Sequence, residues 1–275
     1  MQQYKTISIQ QKSPNSRVFH LYLNRPSKIN SFSYDFFAEF PAALSSLDEN
    51  PDVGAIILAG IGNHFSSGID MEVINSIMEK SLSKERGRGS EWFRREVKYL
   101  QAALTAVERC RKPVIASIHG YCVGGGLDLV TACDIRFCTK DAVFSVKEVD
   151  LAIVADMGTL QRLPPLVGYG KAVELAMTGR KFSGQEAMDM GLVSRVFESK
   201  EALDEGVVLL AEGIGAKSPL ALAGIKEVML RSKDLTLEQA LDYVATWDSA
   251  MVLSDDMKVA FKAHLQKTNP VFAKL

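Results

Sequence analysis

Three acidic residues in apolar surroundings could carry proton-transfer chemistry. Asp128 lies in the apolar helical pattern LDLVTAC, Glu148 follows the strand-like VFSVK, and Asp156 stands in LAIVADMG. Burying an ionised carboxylate is costly, and burial raises its pKa toward the range that general acid/base catalysis needs. Each acid also has an ordinary alternative: Glu148 could form a surface ion pair, and Asp156 could cap a helix that begins near Met157. Three such acids around one glycine-rich turn together favour proton transfer.

Two turns that follow predicted buried strands could present backbone N–H groups to a substrate oxygen. The first, GIGNHFSSGID over residues 60–70, has a tight turn from Ser66 to Gly68 before a predicted helix at Ile69. It lacks the third glycine of a dinucleotide-binding loop, and a plain strand-to-helix turn is an equal alternative for this segment alone. The second turn is Gly124–Gly126. Together the two turns could direct two N–H groups at one developing oxyanion, which is a large catalytic effect.

The surrounding pattern predicts an α/β chain whose strands end at these turns. Alternating apolar residues predict an opening hairpin, and the runs VGAIILAG and VIASIHG predict buried strands. The polar, charged stretch 71–90 predicts a mobile loop, and helical patterns dominate after Gly158. We therefore predict a core domain over residues 1–200 and a helical C-terminal region over residues 201–275, of the kind that packs on a partner subunit.

The composition is that of an ordinary folded chain of 275 residues, 47% of them hydrophobic and 24% charged. These values exclude disordered, collagen-like and disulfide-rich chains. The formal net charge of −1 argues against nucleic-acid binding, because no net field attracts a polyanion. The histidines and the 4 cysteines show no metal-site spacing, so we predict no bound metal and buried free thiols.

The two termini carry different signals. The N-terminal segment MQQYKTISIQ has no apolar core of a signal peptide, and no segment reaches the length of a membrane span. The last residues, Ala273, Lys274 and Leu275, are a variant of the SKL tripeptide that a peroxisomal import receptor recognises, although so short a match can arise by chance. We expect a peroxisomal protein without a membrane span.

The order and spacing of several motifs resemble the crotonase, or enoyl-CoA hydratase/isomerase, superfamily over nearly the whole chain. These motifs are NRPSKINS, FSSGID, KPVIASIHGYCVGGGLDLVTACDIRF, GTLQRLPPLVG, AMTGRKFSGQEAMDMGLV and SPLALAGIK. The resemblance implies a spiral of ββα turns, a homotrimer or a hexamer, and an acyl-CoA thioester substrate with no redox cofactor. It implies that the N–H groups of Ile69 and Gly125 form an oxyanion hole. It also implies substrate-binding residues at Lys28, near the CoA phosphates, and at Ser66, Gly68 and Asp70.

Within this superfamily the acids decide the reaction. Hydratases carry glutamates at the positions of Asp128 and Glu148 and a small residue at the position of Asp156. The trio in this chain instead resembles the dienoyl-CoA isomerases, which convert 3,5-dienoyl to 2,4-dienoyl thioesters. That reaction removes a proton at C2 and returns one at C6, so one carboxylate can hardly reach both ends. We expect Glu148 to take the C2 proton, Asp156 to deliver one to C6, and Asp128 to tune and orient the pair.

Two alternatives stay open at this point. The chain could be an enoyl-CoA hydratase or a Δ3,Δ2-enoyl-CoA isomerase, although Asp128 and Asp156 argue against both. It could also be a non-catalytic acyl-CoA-binding subunit that keeps the fold. Such a subunit would bind CoA without turnover, and the presence of all three acids beside an intact glycine turn argues against it.

Overall fold

A six-stranded sheet forms the centre of the computed structural model, which describes residues 4–275. Its strand order is β1-β2-β3-β4-β6-β9, with β1 antiparallel to β2 and the other neighbours parallel, and a second sheet has the order β5-β7-β8. The strands are β1 (Ile7–Gln10), β2 (Val18–Leu23), β3 (Ala55–Gly60), β4 (Val114–Ile118), β5 (Tyr121–Val123), β6 (Ile135–Thr139), β7 (Val143–Ser145), β8 (Phe182–Ser183) and β9 (Arg195–Phe197). The predicted hairpin and buried strands are confirmed.

Helices cover both faces of the large sheet. They are α1 (Tyr34–Glu49), α2 (Met71–Leu82), α3 (Arg86–Arg109), α4 (Gly125–Thr131), α5 (Thr159–Arg162), α6 (Pro164–Val167), α7 (Tyr169–Thr178), α8 (Gly184–Asp189), α9 (Lys200–Gly215), α10 (Pro219–Arg231), α11 (Leu237–Met251) and α12 (Asp255–Gln266). Because both faces are covered, β3 and β4 are wholly buried, as the unbroken apolar runs predict.

The period of two along β3 divides the core into two clusters. Ile56 and Leu58 face the larger cluster, which contains the buried side chains of α1, α3 and α4, whereas Ile57 faces the opposite side. There it packs in one cluster with Leu203 and Val207 of α9. The first helix after residue 200 is therefore part of the layered core, and the predicted boundary at that residue stays a prediction.

The prediction of a mobile loop over residues 71–90 is wrong. Two helices occupy it: Asp70 caps α2 by accepting the N–H of Glu72, and α3 begins at Arg86, inside the segment predicted as a loop. Only a narrow stripe of this segment is apolar, and most of its charged side chains face solvent, which is why the polarity resembles that of a loop. Gly89 lies so close to the carbonyl of Ser81 that a Cβ there would collide with it. The glycine permits the close crossing of α2 and α3.

A buried lysine ties the C-terminal helices to the sheet. The Nζ of Lys226 on α10 donates to the Val107 carbonyl (2.9 Å), the Lys112 carbonyl (3.2 Å) and Oδ2 of Asp134 (2.8 Å). The same Oδ2 accepts the N–H of Val114 at the start of β4 (2.7 Å), so Asp134 has a structural role. Within residues 4–275 no single helix is long and apolar enough to cross a membrane; α9 and α10 pass that test only together, with a bend of 106° between them.

Replacing Lys226 by Met should destabilise the fold without touching the site described below. The substitution keeps the aliphatic stem and leaves the Asp134 carboxylate and two carbonyls without their shared donor, which costs about 3 kcal/mol in the free energy of unfolding. Urea unfolding followed by circular dichroism measures this loss. Lys233→Met, at an exposed position on the same stretch of chain, is the matched control and should change the stability by less than about 0.5 kcal/mol. Equal losses in both variants would contradict the anchoring role.

Candidate active site

The carboxyl ends of β3 and β4 bring the two predicted turns together at one cleft of about 350 Å³. Isolated bridges link Phe32 to Ile69 and Ser66 to Cys122, and these bridges fix the first turn against the second. Most of the predicted site residues line the cleft; Ser66, Gly68 and Asp128 lie behind its wall. The lining residues are Lys28, Ser31, Ser67, Ile69, Asp70, Met71, Ile74, Gly124, Gly125, Lys147, Glu148, Leu151, Ile153, Asp156 and Met157.

The backbone N–H groups of Ile69 and Gly125 lie at the centre of this cleft. A Cβ built on Gly125 would be 3.3 Å from the Ile69 nitrogen, so the two backbones are in contact. Within the described residues neither N–H donates a hydrogen bond. Gly125 is the first residue of α4 and follows Gly124, whose φ of 54° is a left-handed conformation that favours glycine. The pair can therefore donate two hydrogen bonds to one ligand oxygen.

Ser66 and Gly68 shape the turn from behind the cleft wall. The Oγ of Ser66 donates to the Asn30 carbonyl (2.9 Å) and accepts the N–H of Gly68 (3.0 Å). A side chain on Gly68 would lie 2.8 Å from the Gly125 nitrogen, and its φ is 88°. Both residues thus hold the backbone that carries Ile69, and neither lines the cleft.

Asp128 and Glu148 form a buried carboxyl pair. Asp128 is wholly buried in the first turn of α4, and its Oδ1 accepts the N–H of Thr159 at 2.6 Å. The remaining oxygens, Oδ2 of Asp128 and Oε2 of Glu148, are buried and have no donor when both carboxyls are ionised. One proton held between them supplies that donor. Burial raises the pKa of both groups, and the neighbouring Asp128 charge raises the pKa of Glu148 further.

Asp156 completes the trio and lines the same cleft as Glu148. It is half-buried, and burial raises its pKa. The backbone carbonyl of Asp156 accepts Nε2 of Gln101 on α3 at 2.6 Å, which fixes this segment against the helix. The alternative that Asp156 caps a helix near Met157 is wrong, because α5 begins at Thr159 and its N-cap is Gly158.

Within residues 4–275, Glu148 does not form the surface ion pair that was its alternative role. It lies in a 3₁₀ turn, Lys147–Leu151, where the neighbouring Lys147 pairs with Asp150 instead. Among the residues that the structure describes, Glu148 takes part in no ion pair. A second, largely apolar cavity of about 430 Å³ lies against the same turn and shares Glu148 and Ile153 with the cleft. The carboxyl is therefore bordered by apolar space on two sides.

Lys28 and Asp70 lie at the wall of the cleft in different states. Lys28 is exposed at the end of a 3₁₀ turn, Pro26–Lys28, and its ammonium group can reach a ligand. The Asp70 carboxylate instead accepts from Arg25, from Ser31 and from the Glu72 N–H, so protein donors already occupy it. Within residues 4–275, no group of three or more His, Cys, Asp or Glu is arranged to hold a metal ion. The four cysteines are free and buried, as predicted.

Sequence reasoning missed three residues that support the site. Thr159 fixes Asp128, Gln101 fixes the Asp156 segment, and Arg25 binds Asp70. Thr159 and Gln101 contact the acids through hydrogen bonds that span 31 and 55 residues of sequence, respectively, so no local pattern could have found them. Arg25 precedes the proline of NRPSKINS and Thr159 lies in GTLQRLPPLVG, and these motif positions were the available signals.

Known proteins resemble this chain over its whole length. The model of the enoyl-CoA hydratase/isomerase family matches residues 13–274. The peroxisomal Delta(3,5)-Delta(2,4)-dienoyl-CoA isomerase of Arabidopsis thaliana is 62% identical over 100% of this chain and 99% of its own. The mitochondrial Delta(3,5)-Delta(2,4)-dienoyl-CoA isomerase of Mus musculus is 41% identical over 98% of this chain and 83% of its own.

Solved structures give the same result for the fold. The crystal structure of an enoyl-CoA hydratase from Bacillus anthracis superimposes with a TM-score of 0.86 at 29% identity, covering 98% of this chain and 99% of its own. A hydratase structure from Geobacillus kaustophilus gives a TM-score of 0.86 at 30% identity and covers 98% of each chain. The predicted crotonase-type α/β fold is confirmed, and the role of its C-terminal helices in trimer formation stays a prediction. The chain belongs to the enoyl-CoA hydratase/isomerase family.

Proposed function

We propose that this protein isomerises 3,5-dienoyl-CoA to 2,4-dienoyl-CoA in fatty-acid β-oxidation. The observation that carries the proposal is the placement of Glu148 and Asp156 on one cleft, with Asp128 buried behind it, beside two free backbone N–H groups. The two relatives described above bear the name of this activity at 62% and 41% identity, which supports it. Asp156 is the discriminating residue, because the hydratase pattern has a small side chain there.

The chemistry begins at the thioester carbonyl. With its oxygen hydrogen-bonded to the N–H groups of Ile69 and Gly125, negative charge that develops on that oxygen is stabilised, and the C2 proton becomes more acidic. Loss of this proton gives a dienolate whose charge is delocalised from the carbonyl oxygen to C6. The apolar side chains of the cleft, among them Ile74, Leu151 and Met157, exclude water from this intermediate.

Two carboxyls then divide the proton transfer. Glu148 accepts the C2 proton as the C2–H bond breaks, and protonated Asp156 donates to C6 as the C6–H bond forms and the double bonds move from positions 3 and 5 to 2 and 4. Glu148 ends protonated and Asp156 ionised, so one proton returns through solvent before the next turnover. No electrons leave the substrate, and the reaction therefore needs no redox cofactor; CoA is part of the substrate, and Lys28 is proposed to meet its phosphates.

The experiment that tests the function compares two rates on one preparation. Formation of the conjugated 2,4-diene from a 3,5-dienoyl-CoA is followed by absorbance, and hydration of a 2-enoyl-CoA is measured beside it. We expect the diene to turn over much faster than hydration. Fast hydration with no diene turnover would favour the hydratase alternative. Tight CoA binding without either rate would favour a non-catalytic subunit.

Asp128→Asn should leave the site assembled and make the fold more stable at alkaline pH. The amide oxygen can still accept the Thr159 N–H, and the amide N–H can donate to Glu148 as a protonated Asp128 would. Burial raises the pKa of Asp128 in the folded state, so the stability of the native protein falls as the pH rises from the pKa of the unfolded chain through the raised pKa of the folded one. The introduced amide does not titrate, so Asp128→Asn has no such pH-dependent loss of stability. In the unchanged chain the loss amounts to about 1.4 kcal/mol for each tenfold increase in proton affinity that the carboxyl gains on folding.

Urea unfolding of both proteins at pH 5 and pH 8 checks the prediction. The difference in the free energy of unfolding between Asp128→Asn and the unchanged chain should be larger at pH 8. A difference that is the same at both pH values would contradict a raised pKa at Asp128.

We also propose that copies of this chain assemble through the C-terminal helices as a homotrimer or a hexamer. A mostly apolar groove of about 480 Å³ runs between α10, α11 and α12. Ile225 and Met229, which line it, are more than half exposed, and so are Leu237, Phe261 and Leu265 elsewhere on α11 and α12. So large an apolar face is typical of a contact between subunits. A mass of one chain by light scattering would contradict the proposal.

We propose a peroxisomal location with the import receptor as a partner. The Arabidopsis thaliana relative is named as peroxisomal, and the tripeptide Ala273, Lys274 and Leu275 supports the same location. In the folded chain Lys274 pairs with Asp52 at 2.5 Å, and the Leu275 carbonyl oxygen accepts Nζ of Lys112 at 2.9 Å. A receptor that reads the tripeptide must displace these contacts.

A further inference from the structure

We propose that Arg25 and Asp70 are a charge-balancing pair that positions the oxyanion hole and cancels a negative charge beside it. The inference rests on the proposed function and deepens it, because it assigns a role to two residues that do not touch the reacting atoms. Both are positioning residues. Arg25 has no role in the mechanism described so far, and Asp70 has only that of a cleft-wall residue.

The pair is short and largely withdrawn from solvent. Nη1 of Arg25 is 2.9 Å from Oδ2 of Asp70, and the two side chains are 21% and 11% exposed. The same Nη1 donates to the Ser31 carbonyl at 2.7 Å and lies 3.1 Å from the Ser31 Oγ. That Oγ in turn donates to Oδ2 of Asp70 at 3.1 Å. Three groups thus converge on one guanidinium nitrogen.

Asp70 stays ionised at this position. Burial alone would raise the pKa of its carboxyl, but the N–H of Glu72, the Arg25 guanidinium and the Ser31 hydroxyl outweigh burial and hold the pKa below its usual range. Three protein donors thus bind the carboxylate, two at Oδ2 and one at Oδ1. Its charge nevertheless remains at the wall of the cleft.

The charge of Asp70 lies beside the oxyanion hole, so its neutralisation should affect the reaction rate. Asp70 directly follows Ile69, and both line the cleft with Gly125. A dienolate held between the N–H groups of Ile69 and Gly125 places its negative oxygen on the same short stretch of wall. Two like charges repel strongly when water is excluded, so an unpaired Asp70 would work against the oxyanion hole. Arg25 removes that repulsion.

Arg25 also closes the segment on which the turn rests. Its own N–H donates to Oδ1 of Asn30 at 2.9 Å, and Nδ2 of the buried Asn30 donates to the carbonyls of Ile61 (3.0 Å) and His64 (2.9 Å). Ile29 and Asn30 have φ values of 50° and 51°, a left-handed conformation that is strained for a β-branched residue. The Ile29 carbonyl accepts the N–H of Ser67 at 2.9 Å. Such strain persists only where surrounding contacts hold the backbone. Arg25 supplies two of these contacts, from its N–H to Asn30 and from its Nη1 to the Ser31 carbonyl.

Three variants separate the charge effect from a loss of structure. Arg25→Gln keeps an N–H donor but leaves Asp70 unpaired, and we expect kcat on a 3,5-dienoyl-CoA to fall about 10-fold or more while KM changes about threefold or less. Asp70→Asn should cost less than Arg25→Gln. The double variant Arg25→Gln/Asp70→Asn should be faster than Arg25→Gln alone, because the second change removes the unpaired charge. A purely structural role predicts a double variant as slow as the worse single variant or slower, and that result would overturn the proposal.

A fourth variant covers the case in which Arg25→Gln does not fold. Arg25→Lys keeps the positive charge but not the forked geometry, so it should be faster than any folded neutral replacement at this position, such as Arg25→Met. Circular dichroism and thermal unfolding establish which variants are folded. A folded Arg25→Lys that is as slow as a folded neutral variant would contradict charge balance.

A spectroscopic readout keeps this inference separate from the proposed function. The absorbance band of a conjugated 2,4-dienoyl-CoA moves to longer wavelength when its carbonyl is polarised by hydrogen-bond donors. Bound to the unchanged protein the band should shift, bound to Arg25→Gln it should shift less, and in the double variant the shift should recover. If the shifts follow this order but no dienoyl-CoA turns over, the proposed function fails and the pair stands. Equal shifts in all variants would overturn the pair whatever the turnover shows.

Discussion

Replacing Glu148 by Gln lowers kcat on a 3,5-dienoyl-CoA by about 100-fold or more, which is the contribution expected of a general base. The amide has the shape of the carboxyl and can still pair with Asp128, but it cannot accept the C2 proton. KM should change much less, because Glu148 is not expected to contact the CoA moiety. Steady-state kinetics with the conjugated product as the signal measure both parameters.

The same stretch of chain offers a control. Asp150 lies two residues along the 3₁₀ turn from Glu148, is exposed, and pairs with Lys147. Asp150 does not line the cleft, so Asp150→Asn removes a carboxylate of the same turn and releases only its partner Lys147, and its kcat should stay close to that of the unchanged protein. If Glu148→Gln kept more than a tenth of the activity, or if Asp150→Asn lost as much, the assignment of the base would be wrong.

The pH profile gives a second measure of the base. Burial raises the pKa of Glu148 above the ordinary carboxyl range, and the Asp128 charge raises it further. The ionised form that accepts a proton is therefore lost as the pH falls, and the acid limb of kcat/KM should lie well above pH 4.5, nearer to neutrality. A limb in the ordinary carboxyl range would mean that the reacting base is not buried.

Local sequence patterns predicted those features of the site that depend on residues close together in the sequence. The apolar runs of β3 and β4 predicted buried strands, because a strand covered on both faces has no polar side. The carboxyl of Asp128 in an apolar helix predicted a shifted pKa, since burial alone produces it. The glycines at 124 to 126 predicted a close backbone approach, and at Gly125 the neighbour is the Ile69 nitrogen.

Contacts between distant segments decided the rest. The helix over 71–82 and the start of the helix over 86–109 were missed because their apolar stripes are narrow, and packing against the core stabilises them more than composition does. The bond from Thr159 to Asp128 and the pair of Arg25 with Asp70 join residues 31 and 45 positions apart. Periodicity contains no information about such pairs. The resemblance to a family indicated that the acids belong to one site but said nothing about what neutralises Asp70.

Replacing Asp156 by Asn should separate the two halves of the reaction. The segment is held by its backbone carbonyl, which accepts from Gln101, and this contact does not depend on the side chain. Glu148 and the N–H groups of Ile69 and Gly125 remain in place, so the C2 proton can still be removed and returned. The amide cannot deliver a proton to C6, and formation of the 2,4-diene should fall about 100-fold or more.

Exchange into deuterated water makes the separation visible. Asp156→Asn should incorporate deuterium at C2 of a 3,5-dienoyl-CoA at a rate well above its rate of isomerisation, whereas Glu148→Gln should lose exchange and isomerisation together. Mass spectrometry of recovered substrate measures the label, and absorbance measures the product. If Asp156→Asn isomerised at full rate, the second acid would be unnecessary and a single carboxylate would have to serve both C2 and C6. If it lost exchange as completely as Glu148→Gln, both carboxyls would be needed for proton removal at C2, and the assignment of Asp156 to C6 alone would be wrong.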